Sequence, residues 1–207
     1  MIRPAVASFR HLACNAALAL WFVFCVVGFA MLVSYSQTPG VQEQPPLAAS
    51  GPESPASAAY RMVVAIHPKC VCSRATAKEL AKILRDNSAK IACQILMYQP
   101  ADASSEFGET WLMRQLAELP NTTISVDSEG RQAASLGMHT SGAVVLYGAA
   151  REPLFYGGIT AARGHEGDSV GSESILSLVQ NNPPITTCTK VYGCPLQSHA
   201  TLLEQGD

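Results

Sequence analysis

The sequence has no long run of basic residues. Of its 207 residues, 14 are Lys or Arg and 16 are Asp or Glu, which gives a formal net charge of −2 at pH 7. Proteins that bind nucleic acid usually carry a strongly basic patch or stripe. We therefore expect no polynucleotide partner. The sequence also contains no internal repeat. Its apolar fraction of 48% is sufficient for a hydrophobic core.

Charge is absent from a long stretch near the N-terminus. Residues 12–33, "LACNAALALWFVFCVVGFAMLV", contain no charged side chain and a single polar residue near their start, Asn15. Such a run is long enough to cross a bilayer as a helix. We predict a cytoplasmic N-terminus over residues 1–11 and a transmembrane anchor or signal over residues 12–34.

The charges that flank this apolar run predict its orientation. Arg3 and Arg10 precede it, and the next charge along the chain is Glu43. The positive-inside rule then keeps the N-terminus in the cytoplasm and exports the rest of the chain. We expect a single-pass protein of the bacterial inner membrane with its C-terminal domain in the periplasm or outside. A cleaved signal peptide is the alternative, because residues 34–36 include small side chains at a possible cleavage site.

The remainder of the chain divides by composition. Residues 35–59 are rich in Pro, Ser, Ala and Gly and predict a flexible linker. Residues 60–181 predict a folded domain, and residues 182–207 a C-terminal tail that contains cysteine. Within the domain, apolar runs and helical periodicity predict the order βαβα, a short βα, and then ββα. This order is typical of an α/β protein whose first strands are parallel.

The seven cysteines fall into distinct settings. Cys14 and Cys25 lie in the apolar run, and Cys93 lies inside a predicted strand, so we interpret these three as apolar filling residues. Cys188 and Cys194 bracket the tail segment "CTKVYGC". They predict either a local disulfide or a redox partner for other thiols, and the sequence leaves both open.

Cys70 and Cys72 carry the clearest chemical signal. They occur in "IHPKCVCSRAT", between a predicted strand and a predicted helix whose apolar face includes Leu80, Ile83 and Leu84. A thiol at a helix N-terminus is stabilised as the thiolate by the helix dipole and unpaired N–H groups, and the flanking Lys69 and Arg74 should help. His67 could also approach. This pattern favours thiol–disulfide exchange, with Cys70 attacking and Cys72 as its partner.

The layout over residues 60–181 resembles the thioredoxin fold, a central mixed sheet flanked by helices, with the cysteine motif where the first core strand meets its helix. Within it, "HPKCVCSRA", "GGITAARGHEGD" and the later "YGCPL" are similar to bacterial thioredoxin-like proteins called RedB. The resemblance implies a membrane-anchored thiol–disulfide oxidoreductase acting on protein thiols or disulfides, with no organic cofactor.

Two departures from the thioredoxin pattern affect this prediction. One residue instead of two separates Cys70 from Cys72, and a disulfide across so short a span is strained and easily reduced. Cys194 is therefore the candidate resolving thiol, with Cys188 second. In addition, residues 140–142, Thr-Ser-Gly, stand where family members place a cis-proline that aligns the substrate and hinders metal binding.

The missing proline raises an alternative of a different class. Two thiolates and an imidazole suit copper, so Cys70, Cys72 and His139 could form the metal site of a copper metallochaperone. The copper-carrying Sco group resembles this chain in the position of His139 before a strand, although its cysteines are more widely spaced. A third alternative is a non-catalytic interaction domain in which the thiols are incidental.

One further segment is rich in polar groups. Residues 157–168, "GGITAARGHEGD", contain Arg163, His165, Glu166 and Asp168 among glycines after the last predicted strand. Such a loop could bind substrate or position a proton, or could simply be solvated. The sequence leaves its position relative to Cys70 open.

Overall fold

The computed structural model describes residues 4–46 and 58–196. The chain forms two compact units, one ending at Thr38 and the other beginning at Pro39. The first unit contains helix α1 (Pro4–Gln37). The elements of the second unit are, in chain order, β1 (Tyr60–Ile66), α2 (Ser73–Asn87), β2 (Ile91–Gln99), a 3-10 turn (Ser105–Gly108), α3 (Trp111–Ala117), β3 (Thr122–Ser128), α4 (Arg131–Ser135), β4 (Ala143–Tyr147), β5 (Pro153–Gly158) and α5 (Val170–Val179).

Helix α1 is apolar along most of its length. The stretch His11–Gln37 has a mean hydropathy of 2.6, and its most apolar part is not buried by the protein itself. By length and composition it could cross a membrane or act as a signal sequence, as the sequence predicts. Cys14 and Cys25 are exposed on this helix.

The second unit is built on a five-stranded sheet with the order β3-β2-β1-β4-β5. Strands β1, β2 and β3 are parallel, whereas β4 is antiparallel to β1 and to β5. The parallel strands are joined through helices α2 and α3, as parallel crossovers require. The predicted α/β architecture, a mixed sheet flanked by helices, is confirmed.

Both faces of the sheet are buried. Alternation along β1 sends Met62, Val64 and Ile66 to one face, where they pack with apolar residues of α2, α3 and α5. Val63 and Ala65 face the other side, against α4 and two tail residues, Val191 and Leu196. The C-terminal tail is therefore part of the hydrophobic core.

Residues on either side of the predicted domain pack against it. Instead of a flexible linker throughout, α1 continues to Gln37, and the segment that follows is hydrogen-bonded to the sheet unit: Gly40 N–H donates to Val191 C=O and Glu43 N–H to Gly137 C=O, both at 2.8 Å. Backbone pairing of this kind compensates for ordering a Pro-rich chain. The remainder of the predicted linker, residues 47–57, lies outside the described residues, as do tail residues 197–207.

Candidate active site

Cys70 lies in the short loop between β1 and α2. Its N–H donates to the His67 carbonyl at 3.0 Å, and its own carbonyl accepts from Ser73 N–H at 3.2 Å. The side chain is only 4% exposed, whereas that of Val71 is 73% exposed. Cys72 occupies the N-cap position of α2 without a side-chain cap. Both thiols therefore lie at the positive end of a 15-residue helix.

The environment of Cys70 favours its thiolate. Burial by itself raises the pKa of this thiol, but hydrogen bonds from the side chain and backbone of Cys194 and of Ser73 outweigh it, so the pKa lies below the ordinary cysteine value. A thiolate accepts these hydrogen bonds, and a neutral thiol accepts them only weakly. Of the three thiols in this cluster, Cys70 is the one whose pKa is lowered, and a lowered pKa favours the nucleophilic thiolate.

The two neighbouring thiols are held in the protonated form. Burial is the largest cause that raises the pKa of Cys72, followed by the negative charge of Cys70. Burial and the hydrogen bond to Cys70 together raise the pKa of Cys194 to about 12. The guanidinium of Arg163 acts in the opposite direction on both. Cys70 is therefore the most acidic thiol of the cluster, and the Arg163 cation acts on the other two.

The tail reaches this cluster because it pairs with the loop that precedes β4. Ser141 N–H donates to the Cys194 carbonyl at 2.8 Å, and Leu196 N–H donates to the His139 carbonyl at 2.9 Å. Thr140 and Pro195 form an antiparallel bridge between them. Arg163 also donates to the Gly193 carbonyl. The tail is fixed from two sides, next to Cys70.

Gly193 allows this close approach. A Cβ atom at this position would overlap the Ser141 carbonyl oxygen. Any larger residue would push the tail away from the β4 loop. The glycine before Cys194 is therefore part of what places the tail thiol.

The Thr-Ser-Gly loop supports the site with hydrogen bonds. The Ser141 hydroxyl accepts from His67 N–H at 2.8 Å and shares a 2.7 Å hydrogen bond with the Ser73 hydroxyl. Gly142 N–H donates to the Ala65 carbonyl at 2.8 Å, and φ of Gly142 is 93°, in the region that favours glycine. Ser141 thus joins the β1 loop, the start of α2 and the tail.

The structure places Lys69, Arg74 and His67, the charged or titratable neighbours of the motif, against aromatic side chains. Lys69 Nζ lies 4.4 Å from the centre of the Phe107 ring, and the Arg74 guanidinium lies 5.6 Å from that of Trp111. The pKa of Cys70 is lowered by Cys194 and Ser73 instead of by these cations. The His67 ring stacks on the Tyr98 ring, with 5.1 Å between the ring centres. The pKa of the His67 imidazole is lowered, and burial is the largest cause. Favourable cation–π contacts explain where the two cations lie.

The sequence predicts Ser73 as a possible cap of α2 and Thr76 with Glu79 at the spacing of a capping box, and the structure differs. Ser73 is the first helical residue instead of the cap, and its hydroxyl is used by Ser141. Glu79 is buried and accepts from Gly167 N–H at 2.8 Å and from Lys82 at 2.9 Å, so it does not complete a capping box with Thr76. In α5 the cap is Ser169, which forms a capping box with Ser172.

His139 faces the segment that precedes the sheet unit. Its Nε2 atom lies 3.6 Å from a carboxylate oxygen of Glu43. Within residues 4–46 and 58–196, no group of three or more His, Cys, Asp and Glu side chains is arranged to hold a metal ion. The copper site of Cys70, Cys72 and His139 stays a prediction.

The remaining cysteines of the sheet unit are separate from this cluster. Cys188 is exposed and pairs with Tyr156 of β5, in a parallel bridge. Its interaction with the Tyr156 hydroxyl contributes to a raised pKa of that tyrosine, after burial. Cys93 is buried in β2, and burial raises its pKa to about 12. All seven cysteines lie in the described chain, and all are free thiols.

The loop of residues 157–168 is tied to α2. Besides the Gly167 bond to Glu79, Glu166 forms a 2.7 Å salt bridge with Lys78. These contacts hold the loop against α2, and Arg163 of the same loop lies beside Cys72 and Cys194. The sequence singled out Arg163 but could not place it, and it gave no signal for Ser73 or Ser141 as partners of the site.

Comparison with known proteins shows similarity in fold only. No protein-family model matches the chain, and no curated protein matches it. A hypothetical protein from Sinorhizobium meliloti 1021 has a similar structure, with 18% identity and a TM-score of 0.56 over 78% of this chain and 96% of that chain. An uncharacterized conserved protein from Geobacillus kaustophilus has 17% identity and a TM-score of 0.58 over 79% and 94%, respectively. The architecture described above is therefore shared with solved proteins.

Proposed function

We propose that this chain is a thiol–disulfide oxidoreductase of thioredoxin-like fold, with Cys70 as the attacking thiol and Cys194 as the resolving thiol. The observation that carries the proposal is the hydrogen bond between these two side chains, together with the lowered pKa of Cys70. The thioredoxin-like assignment is supported by the strand order and by the position of the motif between β1 and α2.

The exchange proceeds in two displacements. The Cys70 thiolate attacks one sulfur of a substrate disulfide, which forms a mixed disulfide and releases the other substrate sulfur as a thiolate. Cys194, after losing its proton to that thiolate or to water, attacks the Cys70 sulfur and releases the second substrate thiolate. The substrate disulfide is reduced to two thiols and Cys70 and Cys194 are oxidised to a disulfide; the same steps reverse with an oxidised protein and a substrate dithiol.

The order of these displacements follows from the charges. Burial, the hydrogen bond to Cys70 and the negative charge of the Cys70 thiolate together raise the pKa of Cys194 to about 12. Formation of the mixed disulfide removes that charge, and Arg163 then favours the Cys194 thiolate. Cys194 is thus a poor competitor in the first step and becomes the attacking group in the second. Cys72, which also contacts Cys70, is a second acceptor whose short bridge would be strained.

A trapping experiment tests the proposal. The full chain in detergent micelles is reduced, mixed with 2-hydroxyethyl disulfide, quenched with acid and mapped by mass spectrometry. We expect wild type to form a Cys70–Cys194 disulfide and Cys194→Ser to accumulate a mixed disulfide on Cys70. In this single reduction of 2-hydroxyethyl disulfide by the reduced chain, release of the second 2-mercaptoethanol should slow by more than about tenfold in Cys194→Ser, because the mixed disulfide then lacks its resolving thiol.

Cys188→Ser is the matched control, because it removes another tail thiol that lies outside the cluster. It should retain wild-type turnover. A Cys70→Ser protein that still turns over disulfides as wild type does would exclude the proposal and leave the interaction-domain alternative. Thiols that stay reduced while one copper ion remains bound would favour the metallochaperone.

We further propose that α1 anchors the chain in the bacterial inner membrane and that residues 39–207 lie outside the cytoplasm. The charge asymmetry in the sequence and the apolar length of α1 support this orientation. A membrane-impermeant maleimide added to spheroplasts should label Cys188, which is exposed. Labelling of Cys188 only after lysis would contradict the orientation.

A further inference from the structure

A groove of about 210 Å³ opens beside Cys70. Its wall consists of the loop after β1, the first turn of α2 and the start of α3. Its lining residues are Pro68, Lys69, Cys70, Val71, Arg74, Thr110, Trp111 and Leu112. None of the described tail residues 185–196 lines it. The groove therefore borders Cys70 independently of the tail that carries Cys194.

Cys70 therefore borders two different parts of the protein, the tail and the groove. The tail supplies Cys194 as a hydrogen-bond partner, while the groove connects Cys70 to solvent without displacement of the tail. Thiol–disulfide exchange needs both an entering sulfur and a resolving sulfur at the same centre. The groove is the place from which a substrate sulfur can reach Cys70.

The groove is basic and partly apolar. Lys69 and Arg74 are the charged residues of its lining, and both are cations. Val71 and Trp111 are 73% and 50% exposed, so large apolar surface is open to a ligand. The cations lie over aromatic rings, and the hydrogen bonds that lower the pKa of Cys70 come from Cys194 and Ser73. Their charges are therefore available for recognition.

We infer that this groove binds the cysteine-bearing segment of a partner protein, one that places an acidic side chain beside its cysteine and an apolar side chain nearby. The inference rests on the proposed function and names its substrate class. The acidic group would pair with Lys69 and Arg74, and the apolar group would cover Val71 and Trp111. Charge complementarity selects the occupant, because the lining offers two cations and no anion.

The test compares two peptides that differ in one charge. Each carries its cysteine as a mixed disulfide with thionitrobenzoate, in the context Ala-Leu-Glu-Cys-Ala or Ala-Leu-Lys-Cys-Ala. Attack of the Cys70 thiolate on the peptide sulfur releases coloured thionitrobenzoate, and Cys194 then releases the peptide thiol and forms the Cys70–Cys194 disulfide. The reduced full chain in detergent micelles supplies both electrons, so atoms and electrons balance.

We expect the Glu peptide to react about tenfold faster than the Lys peptide at low salt and the difference to shrink at high salt. The double variant Lys69→Glu/Arg74→Glu should reverse the preference. The matched control Arg85→Glu/Arg131→Glu makes the same change in net charge at exposed positions outside the groove and should keep the wild-type preference.

The neutral 2-hydroxyethyl disulfide separates this inference from the proposed function. Each peptide rate is divided by the rate of the same protein with this neutral disulfide, and the control Arg85→Glu/Arg131→Glu should keep the wild-type rate with it. Equal rates with the two peptides, while 2-hydroxyethyl disulfide is still reduced, would overturn the groove assignment alone. An equal loss of preference in both double variants would also overturn it, because the effect would then come from net charge. Failure to reduce any disulfide would overturn the proposed function and the inference with it.

Discussion

The backbone N–H of Ser141 donates a 2.8 Å hydrogen bond to the carbonyl of Cys194. This bond joins the loop before β4 to the C-terminal tail. The Ser141 side chain also accepts from His67 N–H and shares a hydrogen bond with Ser73. One serine thus links the segment that carries Cys70 to the segment that carries Cys194.

Gly193→Ala should separate the tail thiol from Cys70. The added Cβ would overlap the Ser141 carbonyl oxygen, so the tail must move. We expect slower formation of the Cys70–Cys194 disulfide, by about tenfold or more, and a loss of about 1–3 kcal/mol in the free energy of unfolding. Acid-quenched oxidation followed by mass spectrometry measures the rate of disulfide formation. Denaturant unfolding measures the loss of stability.

The control for this variant is Gly130→Ala. Gly130 has φ of 69° at the start of α4, so alanine there costs about 1–2 kcal/mol without contact with the tail. It should form the disulfide at the wild-type rate. Equal slowing in both variants would mean that lost stability, and not the position of the tail, controls the reaction.

Cys70 should react with iodoacetamide at lower pH than an ordinary cysteine. Hydrogen bonds from Cys194 and Ser73 lower its pKa, so the thiolate persists below the usual midpoint of about 8.5. Ser73→Ala removes a donor and should raise that midpoint. Ser135→Ala, an exposed serine of α4, should leave it unchanged. The rate of alkylation at Cys70, followed by peptide mapping from about pH 5 to 10, checks this; a midpoint equal to that of free cysteine would contradict it.

Arg163→Gln should slow the second displacement more than the first. The guanidinium lowers the pKa of Cys194 and donates to the Gly193 carbonyl, so its loss leaves the resolving thiol protonated and less firmly held. We expect the mixed disulfide on Cys70 to accumulate while alkylation of Cys70 is unchanged. Arg131→Gln is the control at an exposed arginine. Rapid-quench mapping distinguishes the two steps, and equal effects on both would refute the assigned role.

Cys93 should make the protein less stable at alkaline pH. Burial raises its pKa to about 12 in the folded state, whereas the unfolded chain ionises near 8.5. The folded state then retains a proton that the unfolded state loses, so the free energy of unfolding falls as pH rises, by about 1.4 kcal/mol per pH unit between these values. Below pH 8.5 the contribution is constant.

The measurement is denaturant unfolding of wild type and Cys93→Ala between about pH 9 and 11. The difference in free energy between the two proteins should shrink with pH, because the variant lacks the thiol that ionises on unfolding. A difference that is independent of pH would show that Cys93 does not carry the effect.

The segment before the sheet should contribute to stability. Gly40 and Glu43 donate backbone hydrogen bonds to the sheet unit, and the Thr140 hydroxyl donates to the Val41 carbonyl at 2.8 Å. At about 1 kcal/mol for each bond, a fragment of residues 39–207 should be about 3 kcal/mol more stable than one of residues 60–207. Denaturant unfolding of both fragments measures this difference in the free energy of unfolding. Equal values would show that the segment before the sheet does not stabilise the fold.

Features with a strong local signal could be predicted from the sequence. Residues 12–33 contain no charge and are apolar except for Asn15, and helix α1 includes them. Leu80, Ile83 and Leu84 repeat at helical period, and all three are buried on α2. In these cases hydrophobic spacing within a few turns determines which face is buried.

The surroundings of the thiols could not be predicted in the same way. Lys69 and Arg74 flank the motif in the sequence, and the structure places both over aromatic rings, while the hydrogen bonds that lower the pKa of Cys70 come from Cys194 and Ser73. Side chains adjacent in sequence to a loop cysteine can point in any direction, so proximity along the chain says little about distance between charges. Ser73 stands where the sequence predicts a helix cap and Ser141 in the loop that lacks the cis-proline, but neither pattern predicts the hydrogen bond between them.

By itself, the sequence determined the apolar helix, the mixed α/β architecture and the placement of Cys70 and Cys72 between a strand and a helix. These depend on periodicity and on turn chemistry, which act over neighbouring residues. Only the tertiary structure decided that Cys194 meets Cys70, that Arg163 lies beside Cys72 and Cys194, and that Cys188 lies apart from them. Those contacts depend on how the tail pairs with the β4 loop and on how a glycine-rich loop is tied to α2, and such long-range pairings leave no local mark in the chain.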